Sequence, residues 1–393
     1  MLQMFFRSVS ALALAVLIVC RAHSQAPAEA PVPVNPSAPA PHDEQPLQLP
    51  PLPSDKQNQP PVPTVSQPAT PSEGDANSMT FPTMRGGGGR LGNMMGGTVG
   101  NLTPYSDFRI TWLPPEKVAF QNTHLGYQQY DFSMSCPIWQ DSSNEWSASG
   151  HLQGEFFHTS AILPDTLQRF PDELWNFHLG TSYRHLFDNG WIGGASINVG
   201  TASDQPFSTI NETTLSATGF LRVPQGEHNA WLFTLNLSTN SEVLPGLPIP
   251  GVAYFYAPTE WFQATVGFPF ASVVYRPFDD LTLQLSYAFV TNVHAKATYR
   301  LARPLHIYAA FDWDNENYFL ANRLDDRDRF FYYSKRLTGG LRYSLSPNAS
   351  LDFSTGYVFD RFYFEGHNVN AHQFNRIDIG DGPVAAFQLN LRF

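Results

Sequence analysis

From residue 106 onward, apolar and polar residues alternate in short runs separated by turn-forming residues, the period of strands with one apolar and one polar face. In residues 281–290, Leu281, Leu283, Leu285, Tyr287 and Phe289 share one face, and Thr282, Gln284, Ser286 and Ala288 share the other. Trp175, Phe177, Leu179 and Tyr183 alternate with Asn176, His178, Ser182 and Arg184; Leu351, Phe353, Tyr357 and Phe359 alternate with Asp352, Ser354, Gly356 and Asp360. The runs break at Asp188-Asn189-Gly190, Phe278-Asp279-Asp280, Arg303-Pro304 and Ser346-Pro347-Asn348, residue types that close tight turns. Candidate strands fall near residues 107, 125, 145, 172, 191, 212, 230, 252, 261, 271, 281, 293, 305, 331, 349 and 383. Those around 252 to 276 are short, so a count of about 12 to 16 is expected, and an even one. This predicts an all-β, antiparallel, up-and-down transmembrane barrel.

The last strand carries the pattern to the terminus. Phe387, Leu389, Leu391 and Phe393 alternate with Gln388, Asn390 and Arg392, one face suited to lipid and the other to a polar lumen. A terminal aromatic preceded by apolar residues at every second position resembles the closing strand by which bacterial outer-membrane barrels are recognised by their assembly machinery. Working back from Phe393, the connections at 346–348, 302–304, 278–280 and 188–190 are short, and those at 362–382, 314–330, 239–251 and 159–171 are longer. Short periplasmic turns and longer external loops are the habit of outer-membrane barrels.

Turn-to-turn counting places charges on the inward faces of the last hairpins. Pairing Leu345 with Ala349 sets Arg342 opposite Asp352 and Arg336 diagonal to Asp360; the preceding hairpin sets His294 opposite Asp312 and Arg300 opposite His306. Successive faces then alternate: basic His294, Lys296 and Arg300, acidic Asp312 and Asp314, basic Arg336 and Arg342, acidic Asp352 and Asp360. A charge on the lipid face costs roughly 2–4 kcal/mol for Arg or Lys at the midplane, so these residues are expected to line the lumen as ion pairs.

The amino-terminal end sets the compartment. Arg7 is followed by an apolar run over residues 9–19, too short to span a bilayer as a helix, and then by the small residues around Ser24. This is a secretory signal over residues 1–24, cleaved near Ser24. The mature chain then keeps Cys136 alone and forms no internal disulfide. Residues 25–82 hold sixteen of the 33 prolines and one aromatic residue, the composition of a disordered, partly polyproline periplasmic linker. Residues 83–105 carry eight glycines with Met84, Met94 and Met95, and form either a second linker or a small hatch in the barrel mouth. The barrel domain covers residues 106–393.

All eight tryptophans lie in that domain, and Trp and Tyr sit well at lipid-water boundaries. The net charge of −11 favours cations weakly and excludes a basic nucleic-acid surface. Asp312-Trp313-Asp314-Asn315-Glu316 spaces its acids as a calcium loop does, but Asn317 and Arg323 stand where that loop needs Gly and Glu. His158-Thr159-Ser160 could serve a rim hydrolase, yet no acidic orienter accompanies it. No catalytic residue, metal site or cofactor is expected.

Tyr275-Arg276-Pro277, Phe311-Asp312-Trp313-Asp314-Asn315-Glu316, Phe330-Phe331-Tyr332-Tyr333-Ser334-Lys335-Arg336 and Phe359-Asp360-Arg361-Phe362-Tyr363-Phe364-Glu365-Gly366 resemble an uncharacterised family of bacterial outer-membrane β-barrels, a domain of unknown function. The resemblance implies a barrel in the outer membrane of a Gram-negative-type cell and supplies no activity. The leading expectation is a passive, narrow, porin-like channel or a structural outer-membrane protein, in contact with lipid and passing small ions or solutes. The alternatives are a lipid- or peptide-active hydrolase and a transporter of hydrophobic ligands with an amino-terminal hatch.

Overall fold

The computed structural model describes residues 98–242, 244–288, 292–370 and 372–393. The signal sequence, its cleavage point, the proline-rich linker and residues 83–97 lie outside the described residues.

The strands are β1 (Tyr105–Lys117), β2 (His124–Gln140), β3 (Asn144–Thr159), β4 (Glu173–Leu186), β5 (Ile192–Ser203), β6 (Thr213–Gln225), β7 (Asn229–Ser238), β8 (Ile249–Thr259), β9 (Phe262–Phe268), β10 (Phe270–Phe278), β11 (Leu281–Ala288), β12 (Asn292–Ala302), β13 (Leu305–Tyr318), β14 (Arg329–Ser346), β15 (Ala349–Gly366), β16 (Phe374–Ile379) and β17 (Gly382–Arg392). Each of β1 to β15 pairs antiparallel with its neighbour in sequence, and β17 closes the ring between β15 and β1. At the seam Ile110 lies opposite Phe387, and Leu351 lies opposite Leu389. The result is a closed barrel of 16 strands, with no free sheet edge in the ring. Every candidate strand position read from the sequence falls in or beside one of these strands.

β16 was not foreseen, because residues 362–382 read as a loop. It bonds to β15 beyond Asp360, where a bulge interrupts the register, so β16 and β17 act as one broken strand along a single partner. Asp360 has φ +51°, and beyond it the in-and-out phase of β15 reverses. Tyr363 then packs inward, while Phe362 and Phe364 pack outside against Tyr333 and Phe331 beneath Val369. With both faces covered, the period of two that marks a half-buried strand is lost there.

Outside the ring, exposed Trp112, Trp146, Leu179, Ile197, Leu235, Val266, Leu285, Leu341, Phe353 and Phe387 form an apolar surface far larger than a soluble protein presents. No helix among the described residues is long and apolar enough to cross a membrane; the crossing is made by strands. The turns at the end that holds both barrel termini are short, which in this architecture is the periplasmic end. At the external end the loops are longer, except that Pro269 alone joins β9 to β10 and residues 289–291 join β11 to β12. The wall is therefore uneven, with strands of 16 to 18 residues at β2, β3, β14 and β15 and of 7 to 9 at β9, β10 and β11.

Candidate pore lumen

Strand alternation gives the lumen a gradient. Read from the periplasmic end, the inward residues of β3 are Glu145, Ser147, Ser149, His151, Gln153, Glu155 and then Phe157. β14 runs the same course from Arg342, Thr338, Arg336 and Ser334 to Tyr332 and Phe330, and β1 passes from Asp107, Arg109 and Thr111 to Leu113. A polar lumen therefore gives way to an apolar one toward the outside.

The polar part holds an ion-paired ladder on β12 to β15. Arg342 lies opposite Asp352 in the register, with Nε 3.2 Å from Oδ2, and the Tyr308 hydroxyl donates to Asp352 Oδ1 at 2.5 Å. His294 lies opposite Asp312 and its Nδ1 donates to Oδ1 at 2.9 Å, while its Nε2 is 3.7 Å from Asp314. Asp314 is buried against the Arg336 guanidinium. Lys296 sits over the Tyr308 ring at 3.8 Å, within reach of the charge of Arg109 on β1. Arg300 lies opposite His306 but turns to Asp280 at the periplasmic rim, 2.7 Å away.

Asp360 departs from the expected set. The bulge that reverses the phase of β15 places its carboxylate outside, paired with Lys335 Nζ at 2.7 Å, and Arg336 faces Val358 and Asp314 instead. Counting from the turn fails there because it assumes an unbroken ladder. The acidic run 312–316 is part of β13 and no calcium loop: Asp312, Asp314 and Glu316 are engaged by His294, Arg336 and Tyr318.

A layer of buried amides and carboxylates ends the polar zone. Glu155 Oε1 accepts from Gln129 at 3.0 Å, and Gln153 Nε2 reaches Glu316 Oε2 at 2.8 Å and the Tyr318 hydroxyl at 3.0 Å. The contact between Gln153 on β3 and Glu316 on β13 crosses the lumen rather than following the sheet. Above it Tyr127, Phe157, Tyr318, Phe330, Tyr332 and Tyr363 form an aromatic seal with Ala161, Leu163 and Phe170 of the loop after β3. Phe170 meets Phe157 at 5.1 Å and Phe330 at 5.5 Å between ring centroids, and the Tyr127 and Tyr332 hydroxyls are 3.2 Å apart. Beside the seal, the ends of β5 and β13 meet from opposite sides of the ring, Phe319 donating its N–H to Ala202 O at 2.7 Å. The external mouth is closed on this side by wall and loop together.

No protein-family model and no curated protein matches this sequence. Among solved structures the chain is similar to an outer-membrane channel of Pseudomonas putida F1, at 10% identity and a TM-score of 0.34 over 77% of this chain and 98% of that one. It is similar to OccK7 (OpdD) of Pseudomonas aeruginosa at 11% identity and a TM-score of 0.34, over 74% of this chain and 99% of that one. A loop-deleted OmpT, an outer membrane protein of Vibrio cholerae, is 9% identical with a TM-score of 0.27, over 74% of this chain and 98% of that one. Likenesses this loose carry nothing about function, and the barrel rests on its own strand register.

The structure does not assemble the hydrolase pair weighed from sequence. His158 is exposed on the outer face of β3, and Ser160 Oγ is spent on Thr123 Oγ1 at 2.8 Å. A different group lies in the lumen, where Ser133 Oγ is 3.0 Å from His151 Nδ1 and Asp131 Oδ1 is 3.9 Å from the same nitrogen. Hydroxyl and carboxylate approach one ring nitrogen, so the carboxylate does not orient the imidazole as a base for that hydroxyl.

Sequence reasoning missed Asp107, Asp131, His151, Gln153, Glu155 and Glu316 as lumen residues. Their signal was the same alternation, legible in β1 to β3 for the first five and continuing from Asp312 and Asp314 along β13 for Glu316. The partnership of Gln153 with Glu316, 163 residues apart, had no sequence signal.

Proposed function

We propose that this protein is a gated outer-membrane channel with a narrow lumen for small hydrophilic solutes or ions. The observation that carries the reading is the gradient of the lumen face: a ladder of charged and amide side chains ends in an aromatic seal completed by a loop. A closed ring of 16 strands is too wide for wall side chains to fill as a core, and a charged and amide lining suits the water-accessible interior that such a ring leaves. An ionised ladder is stable in a hydrated lumen, where water solvates whatever the pairs leave unsatisfied. Gln153 on β3 and Glu316 on β13 meet across the lumen at 2.8 Å, which favours a narrow path over a wide one.

The test is planar-bilayer recording of the purified full chain beside a variant in which Leu163 and Phe170 are both replaced by Ser. The expected result is little or brief conductance from the wild type and frequent, ion-carrying openings from the variant. Silence of both, across a range of salts and voltages and with folded barrel confirmed on a heat-modifiability gel, would overturn the channel reading.

A further inference from the structure

The chain before β1 does not leave the barrel directly. Leu102 and Gln140 exchange two hydrogen bonds, from Leu102 N to Oε1 at 3.0 Å and from Gln140 Nε2 to Leu102 O at 3.4 Å. Gly100 then donates its N–H to Glu145 Oε2 at 3.2 Å, and Thr98 O accepts from Arg184 Nη2 at 3.5 Å. Glu145 and Arg184 are buried inward residues of β3 and β4, joined by two bonds of 2.5 and 2.9 Å. Residues 98–102 thus run inside the periplasmic end of the barrel, along a buried ion pair.

Two features make this path specific. Gly100 has φ +83°, and a Cβ there would stand 1.9 Å from Asp141 O, so only glycine allows the chain to pass the β2 to β3 turn so closely. Val99, next to it, is buried in a cluster with Ile192, Phe220, Leu232 and Ala253 from β5 to β8, flanked by Phe255. These side chains lie on the lumen side of their strands, opposite in phase to the exposed Ile197, Trp231 and Phe233, and they form an apolar patch within the polar, periplasmic part of the lumen. Burial of a single valine side chain is enough to hold a short segment and small enough to be reversed.

We propose that residues 98–102 are a displaceable strap that closes the periplasmic end of the lumen, with Val99 as its plug and the Arg184 and Glu145 pair as its latch. The occupant of the apolar patch on β5 to β8 is this chain's own segment. Because the strap runs on at Thr98 into the amino-terminal part of the chain, force or binding on that part would act on Val99 through the backbone. The role as a closure rests on the channel reading; the seating and release of the strap do not.

The test measures release without requiring conductance. In a full-length Cys136→Ser background, Phe255→Cys places a thiol beside the strap, and its rate of modification by a bulky maleimide is followed in folded barrels. Val99→Ser and Gly100→Ala, introduced separately, are each expected to speed labelling at least tenfold, Val99→Ser by removing the plug and Gly100→Ala by forcing the chain off the turn. The two variants fail differently, since Val99→Ser introduces no backbone strain, and heat modifiability shows that each barrel is folded. Unchanged labelling in both would overturn the strap. Faster labelling, with no conductance from these variants or from the loop variant above, would uphold the strap and sink the channel reading alone.

Discussion

The side-chain oxygen of Asn375 on β16 accepts the backbone N–H of Asp165 at 3.0 Å, and Asp165 Oδ2 accepts the N–H of Asn375 at 2.6 Å. Asn375 Oδ1 also accepts the N–H of Thr166 at 3.1 Å, and Asn375 Nδ2 donates to Glu365 Oε2 at 2.5 Å. One fully buried asparagine in the left-handed region, φ +49°, thereby fastens the loop that carries Leu163 and Phe170 into the aromatic seal. Asparagine tolerates that backbone better than most residues, and its short amide reaches the loop.

Asn375→Gly keeps the backbone accessible and removes only the clasp. Each bond lost is worth about 0.5–1.5 kcal/mol, so the loop should open at least five- to tenfold more often. Trypsin cleavage after Arg169 in folded barrels is the readout; an unchanged cleavage rate would show that Asn375 does not hold the loop.

Asp352→Arg faces Arg342 and the Tyr308 hydroxyl with a like charge and a lost acceptor. It should lower the temperature at which the barrel unfolds on a gel-shift assay by far more than Ser350→Arg, one step nearer the rim on the same face. Equal effects would sink the pairing.

Arg336→Met strands the buried Asp314 carboxylate, an outcome that typically costs about 3–5 kcal/mol. The double variant with Asp314→Leu removes both charges and should recover much of that loss in urea unfolding from lipid vesicles. No recovery would mean that the pair is not coupled.

On one strand, Leu341→Arg points into lipid and Thr338→Arg into the lumen. The first should cost up to about 2–4 kcal/mol in refolding into vesicles, the second much less. A reversed order would contradict the facing assigned to β14.

Much of the barrel was legible because its signals are local. Alternation, turn residues and loop length each operate over a few residues, so Arg342 could be set opposite Asp352 and His294 opposite Asp312 by counting from a tight turn. The same counting failed at Asp360, because a bulge is a single-residue event that leaves composition unchanged. It also failed to register β16, a strand of six residues paired with the part of β15 where aromatics on both faces erase the period of two.

Thus the sequence by itself determined that the chain forms amphipathic antiparallel strands joined by turns, with polar and charged residues on one face and lipid-suited residues on the other. Only the tertiary structure decided that sixteen of those strands close, that Gln153 meets Glu316 across the lumen, that Phe170 enters the external mouth and that Val99 enters the periplasmic one. The physical reason is range. Hairpin register is set by neighbouring residues, whereas contacts across a lumen depend on how closure, wall height and bulges bring together residues far apart in the chain.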